Sequence, residues 1–430
     1  MIRLSRRAFV VGTGATLGAL ASGLKPAVSQ GDVELRFFWW GNQDRLTRTE
    51  SVMVMYEAQN PGITLAGETA PFGEFFTRLA TQVVGGNAPD IIQMDFRYIA
   101  EYASRGSLLP LDEYLGNLLD LSQIPADQVD ANRVGGKLYG VSFGVNCAAL
   151  HINSDAWAEA GVEAPTIGTT YDEFMERAIR FAEATPRNRF FGTSDPSGVE
   201  VPFENYLRQR GKSLYTAAGE LAFAEADAAD WFALWAEMRE KGACVPADVQ
   251  ATDQNTVETS VLVQGRAAVN FGLANAIGPT RNLVPENITL TSYPVVSPDA
   301  EPGHYLRPAT RVSISAATQH SEEAVKFLAF FTQDLEAAKI LGAERGIPVA
   351  PRVQEAIASS ISEGERLSVE YIASIGALVG TLPPQSPPGA GEVTDLLLVT
   401  SQEVAFGSRS PQDGGAALVQ GAADILARAQ

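Results

Sequence analysis

Apolar positions along this chain alternate between short runs of strand length and longer stretches with helical spacing, the pattern of an α/β protein. Val33 to Phe38 reads as a first strand, and Thr49 to Gln59 as a helix ended by Asn60-Pro61-Gly62. Ile63 to Glu68 is a second strand. Phe72, Phe75, Phe76, Leu79, Ala80 and Val83 share one helical face, and Gly85-Gly86 stop that helix. A short buried strand, Asp90 to Met94, follows Pro89, and a long extended stretch runs from Tyr139 to Ile152. Ser154 to Ala160 is a short helix backed by Gly161, and Thr170 to Glu173 has the capping-box spacing that opens a helix to about Ala184. Trp231 to Lys241 is a helix whose Trp231 and Trp235, four apart, read as core. Ala267 to Phe271 and Val312 to Ala316 are strands, and Ser321 caps a helix through Phe331. The run Thr381 to Gly391 is too rich in Pro and Gly for regular structure, and two helices close the chain.

The first thirty residues break this pattern. Arg3, Arg6 and Arg7 precede an uncharged run from Ala8 to Leu24, and Ala27 and Ser29 take the spacing a signal peptidase reads. Ser5-Arg6-Arg7-Ala8-Phe9-Val10 resembles a twin-arginine export signal. The apolar run is rich in Gly and Thr and shorter than the roughly 20 residues a membrane span needs, so residues 1–29 are expected to be cleaved near Ser29. No Cys at that exit supports a lipid anchor. Loss of Arg3, Arg6, Arg7 and Lys25, with no acid, would take the formal charge from −19 to −23. So acidic a chain repels nucleic acid and anionic lipid. The roughly 400 residues left are too many for one core, so at least two domains are expected. Cys147 and Cys244 are equally compatible with one disulfide and with two buried thiols.

Catalytic signatures are missing where a secreted hydrolase would show them. The chain has no G-x-S-x-G turn, no H-E-x-x-H, no phosphate loop and no C-x-x-C. Its three histidines, His151, His304 and His320, have no spaced His or Cys partner that would suggest zinc, and they read as surface or strand-end residues. No cofactor is implied. Carboxylates are plentiful, which keeps a glycosidase pair open as an alternative.

A series of segments carries a family resemblance. Phe37 to Arg45, a helix, then Tyr56 to Ile63 resemble the opening of the family 1 extracellular solute-binding proteins, the maltodextrin-binding-like sugar receptors of ABC importers. Phe75 to Gln82, Gly85 to Ile92 and Gly106 to Asp112 continue it. So do Gly136 to Val141, Leu150 to Asn153, Leu262 to Val269 and Gly346 to Val349, in order over about three quarters of the chain. Within the family, the W-W-G-x-x-x-R start is most similar to receptors for plant-derived oligosaccharides such as oligogalacturonides. The resemblance implies a two-lobed periplasmic binding protein fold of type II-like topology, exported to the periplasm, monomeric, and served by ABC permease subunits in the inner membrane. One lobe is expected from residues 30–145 with 272–309, the other from 150–268 with 315–430. Crossings are expected near Val145 to Ala149, Asn270 to Ala274 and Ala309 to Ser313, with a carbohydrate bound between the lobes. A polyamine or another small polar solute in the same fold, and a secreted carbohydrate-active enzyme, are the alternatives.

Sugars offer apolar faces to aromatic rings and hydroxyls to carboxylates, amides and Arg. Trp39 and Trp40 end the first strand, where open α/β sheets place ligands, and strand alternation should turn one to the cleft and the other inward. Gly41, Asn42 and Arg45 surround the start of the next helix. Phe72 opens the following one, with core packing as its competing reading. Asp95 and Phe96 emerge together at a strand end. By resemblance, Glu200 and Phe203 belong to a binding segment before Gly211, and Asn146, Leu273 and Asn275 to positions near the hinge. The chain departs from many relatives at Gly272-Leu273-Ala274-Asn275, where they carry Trp or Tyr, which argues against a long stacked maltodextrin. Glu344 and Arg345 complete the candidate set, and Arg45, Arg307 and Arg311 raise the question of an acidic sugar.

Overall fold

The computed structural model describes residues 33–429; the export signal expected in residues 1–29 lies outside the described residues. Its strands are β1 (Val33–Trp40), β2 (Ile63–Ala70), β3 (Ile91–Met94), β4 (Arg133–Val134), β5 (Lys137–Leu138), β6 (Val141–Ser142), β7 (Val145–Asn146), β8 (Ala148–Asn153), β9 (Val269–Leu273), β10 (Ile288–Thr291), β11 (Arg307–Pro308) and β12 (Arg311–Ile314).

The first lobe is built on a sheet of order β2-β1-β3-β12-β6. Strands β1, β2 and β3 are parallel, and β12 runs antiparallel to β3 and β6. Its two faces follow the alternation along β1. Leu35, Phe37 and Trp39 share one core with Val52, Met53 and Tyr56 of the helix Gln43–Gln59 and with Phe327 and Phe331 of the helix Ser321–Gln333. Phe38, on the other face, stacks on Phe75 of the helix Phe72–Val84 at 4.3 Å. The first helix begins six residues before Thr49, because the Asn42 side chain accepts from the Arg45 N–H and caps it at Gln43.

The second lobe is built on the antiparallel sheet β10-β8-β9. Helices pack on it through Trp157, Phe174, Phe181, Trp231 and Trp235, all buried. The expected capping box at Thr170 and Glu173 is formed. The final helices, Ala390–Ala405 and Pro411–Ala429, close this core through Leu397, Leu418 and Leu426.

Three segments join the lobes side by side. Strand β7 pairs with β11, and Val145 exchanges two 2.8 Å backbone hydrogen bonds with Ile347. From this pair the chain passes at Ala148 into β8 of the second sheet. At Asn270 to Ala274, where the next crossing is expected, β9 instead pairs with β8 along its whole length, from Ala148 opposite Leu273 to Ile152 opposite Val269. Strand β11 pairs with β7, and β12 lies in the first sheet between β3 and β6. Two groups of residues pack differently from the lobe bounds expected from the sequence. The helix Ile277–Leu283 packs with Ile288 of β10, so residues 272–291 belong to the second lobe. The helices Ser321–Gln333 and Leu335–Leu341 pack on the first sheet, not the second. Both cysteines are buried free thiols in separate clusters. His151 and His304 are buried rather than at the surface, and burial pulls both down to about 4, so they are neutral at pH 7.

Candidate ligand-binding site

The C-terminal ends of β1 and β3 and the start of β12 lie at one edge of the first sheet, the edge where open α/β sheets receive ligands. The loop after β3 carries Asp95, Phe96, Arg97 and Tyr98. Arg97 Nε donates to Asp95 Oδ1 at 2.8 Å. Arg97 Nη1 reaches across to Glu200 Oε2 at 3.3 Å, on the second-lobe helix Glu200–Arg208. That carboxylate also accepts from Thr394 Oγ1 at 2.9 Å, on the helix Ala390–Ala405. Tyr98 lies against the start of the same helix. A Cβ added at Gly391 would sit 2.6 Å from its ring, so the residue that allows this approach has no side chain. The lobes thus meet through charged and hydroxyl groups.

Burial would raise Asp95, but Arg97 and Arg307 outweigh it and hold the carboxyl well below the usual carboxylate range. Burial also works against the charge on Arg97, which Asp95 and Glu200 more than restore. Glu204, one turn after Glu200, accepts from Tyr305 Oη at 2.7 Å. Burial first and the neighbouring Glu200 second push it up to about 7. Arg311, at the start of β12, is fully buried with its guanidinium 5.3 Å from the centre of the Phe96 ring. Burial pulls it down to about 10, with Asp95 supporting its charge and Arg307 opposing it.

Aromatic surface adjoins these charges. The half-buried Trp40 meets Phe72 edge-on at 5.3 Å, and the Arg97 guanidinium lies 5.2 Å from the Phe72 ring centre. Trp40, Phe72, Asp95, Phe96 and Glu200 of the sequence-derived set therefore converge. Arg97, Tyr98, Glu204, Tyr305 and Thr394 lie among them without having been read from the sequence. The charge pair Asp95 and Arg97, two residues apart after a buried strand, is the signal that was there to find.

The other residues expected at the site make different contacts. Trp39 faces the core, 1% exposed, and its ring tip fills the space beside Gly67, where a Cβ would lie 2.7 Å away. Phe203 is buried in the second core between Phe223 and Trp231. Asn42 is a helix cap. Gly41 gives room to the Arg45 side chain, which is buried and bonds Glu344 Oε1 through Nε at 2.7 Å and Trp40 O through Nη1 at 3.0 Å. Arg345 is buried against Thr49, Gln93 and the rings of Phe143 and Phe331. This ion network ties Glu344 and Arg345 to the first helix. Asn146 Nδ2 donates to Asn275 Oδ1 at 2.6 Å, and Asn275 Nδ2 donates to Glu344 O at 2.8 Å, so the two amides clasp the hinge. The Leu273 carbonyl accepts from His151 Nε2 at 3.0 Å. Among the described residues no group of three His, Cys, Asp or Glu is placed to hold a metal ion, and no helix is long and apolar enough to cross a membrane.

Two α/β lobes, three segments joining them side by side and a polar seam between them are the architecture of a two-lobed solute-binding protein. The profile of the family described as bacterial extracellular solute-binding protein matches residues 40–336, and the chain belongs to that family. A family 1 extracellular solute-binding protein from Alicyclobacillus acidocaldarius is 28% identical, with a TM-score of 0.66 over 93% of this chain and 99% of its own. A periplasmic oligogalacturonide binding protein from Yersinia enterocolitica, solved with saturated digalacturonic acid, is 21% identical. Its TM-score is 0.82 over 92% of this chain and 99% of its own. The maltotriose-binding protein of Pyrococcus abyssi is 23% identical over 73% of this chain and 66% of its own.

Proposed function

We propose that this chain is the capturing component of an ABC-type sugar importer. It binds a sugar or oligosaccharide between its lobes, delivers it to permease subunits in the inner membrane, and catalyses no reaction. Export to the periplasm through a twin-arginine signal cleaved near Ser29, and action as a monomer, complete the reading. The observation that carries it is the seam itself. Trp40 and Phe72 offer aromatic surface, and Asp95, Arg97, Glu200 and Tyr305 offer hydroxyl-binding groups, at the edge of one lobe and on the facing elements of the other. Relatives named for maltotriose and for digalacturonic acid support a saccharide ligand.

Arginines at the seam disfavour a polyamine, which needs acids without competing cations. A glycosidase would need two carboxyl groups flanking the scissile bond. Glu200 and Glu204 stand one turn apart on the same helix, and Asp95 is held ionised by Arg97. Ligand at about a hundred times its dissociation constant stabilises the folded state by about 2.7 kcal/mol. Thermal unfolding against mono- and oligosaccharides, with spermidine and divalent metals as controls, is expected to shift with one sugar class and release no product. A shift only with spermidine or a metal, or release of shortened sugar, would overturn the proposal.

A further inference from the structure

The seam contains more cations than it pairs. Arg97 is bonded to both Asp95 and Glu200. Arg307, also beside Asp95, Arg97 and Glu200, has no ion-pair or side-chain hydrogen-bond partner among the described residues. Arg311 is the sharper case. Its side chain is fully buried, yet Nε, Nη1 and Nη2 all lack a hydrogen-bond partner. The face of Phe96 supplies cation–π attraction on one side, but a ring face does not satisfy in-plane N–H donors. Arg45 and Arg345, also buried, show what a structural arginine does here: the first bonds Glu344 and Trp40 O, and the second bonds Thr49 and Gln93 and leaves only Nη1 without a hydrogen-bond partner. A buried guanidinium with its whole donor edge free is costly to keep unless something that binds there completes it. At neutral pH Arg311 keeps its proton, since burial lowers it only to about 10. Three guanidinium groups then face two paired carboxylates, Asp95 and Glu200, and Glu204 is pushed up to about 7.

We propose that the ligand is an acidic saccharide, and that Arg311, assisted by Arg307, receives the carboxylate of a uronic acid unit. A carboxylate fits because two parallel N–H donors of a guanidinium match its two oxygens. A neutral sugar would leave the charge uncompensated. Trp40 and Phe72, on the Arg97 side of Asp95, add aromatic surface for the same saccharide. This inference rests on the carbohydrate reading of the cleft.

The test is isothermal titration of the purified protein with galacturonic and glucuronic acids and their short oligomers. Matched controls are their methyl esters, the corresponding neutral sugars, and the non-sugar acids succinate and citrate. Uronates are expected to bind at least about a hundredfold tighter than the esters, since losing one partner of a desolvated charge pair removes that much affinity or more. R311Q is expected to abolish this preference and R311K to restore part of it, because Lys keeps the charge without the paired donors. R307Q, read the same way, keeps the test open if R311Q fails to fold. Esters or neutral sugars binding as tightly as uronates would overturn the acidic assignment while leaving the carbohydrate reading intact. Binding of succinate or citrate with no saccharide bound, or of nothing in the panel, would overturn both.

Discussion

Glu204 makes the closed seam sensitive to pH in a direction that can be worked out. It is buried, accepts from Tyr305 Oη, and has Glu200, Arg208 and Arg307 as its charged neighbours. Its folded value of about 7 lies above the ordinary 4.5. A carboxyl group raised in the folded state contributes stability that is complete below about pH 4.5 and is lost as pH rises to about 7. At about 1.4 kcal/mol per pH unit, the full loss is about 3 kcal/mol. Glu204→Gln imitates the protonated acid and keeps an oxygen for Tyr305. The variant should match the native chain at pH 4.5 and exceed it by up to about 3 kcal/mol at pH 8. At about 2.1 cal/mol/K of unfolding entropy per residue over roughly 400 residues, that is about 4 °C in midpoint. Other groups titrate in this range, Asp253 among them, raised to about 6 by burial, so the difference between the two proteins is the quantity to follow. Urea unfolding at four pH values supplies it. Parallel stability curves from pH 4.5 to 8 would refute the assignment of a buried, raised Glu204.

The adjacent tryptophans should separate cleanly. Trp39→Ala is expected to cost about 3–5 kcal/mol of stability in urea unfolding, as a large core truncation does. Trp40→Ala should cost less and weaken ligand binding by about tenfold, the scale of one lost aromatic contact; equal effects on stability would contradict their opposite facing. Gly391→Val should leave the unfolding of the second lobe unchanged but hold the lobes apart, because its side chain meets Tyr98. Small-angle scattering with saturating ligand would then give a larger radius of gyration than the native complex, and an identical radius would show that Tyr98 yields.

Local pattern carried much of the architecture. The helix Phe72–Val84 and the short helix before Gly161 fall where spacing and stop signals put them, because each is set by neighbours within a few residues. Which sheet a strand joins is a different matter. Strand β9 reads identically whether it pairs with β8 or crosses back, and only the register opposite β8 decides it. The site shows the same division. Asp95 is legible from its position after a buried strand. Arg311 begins a strand whose sequence looks ordinary, and its lack of partners exists only once Phe96, Asp95 and Arg307 surround it. Arg45 and Glu344 are drawn to each other across 299 positions, a pairing no window of sequence displays.

Strand β12 sits between β3 and β6, so Arg311 lies beside both Met94 and Ser142. An interior strand of the first sheet is therefore supplied by a segment that follows all three strands of the second. A chain interrupted before the helix Leu335–Leu341 lacks the means to finish either lobe, since the second still awaits its two final helices. Neither lobe is a cassette that recombination could exchange at a single breakpoint. Substitutions along the seam, by contrast, can alter the ligand while leaving this interleaved connectivity intact.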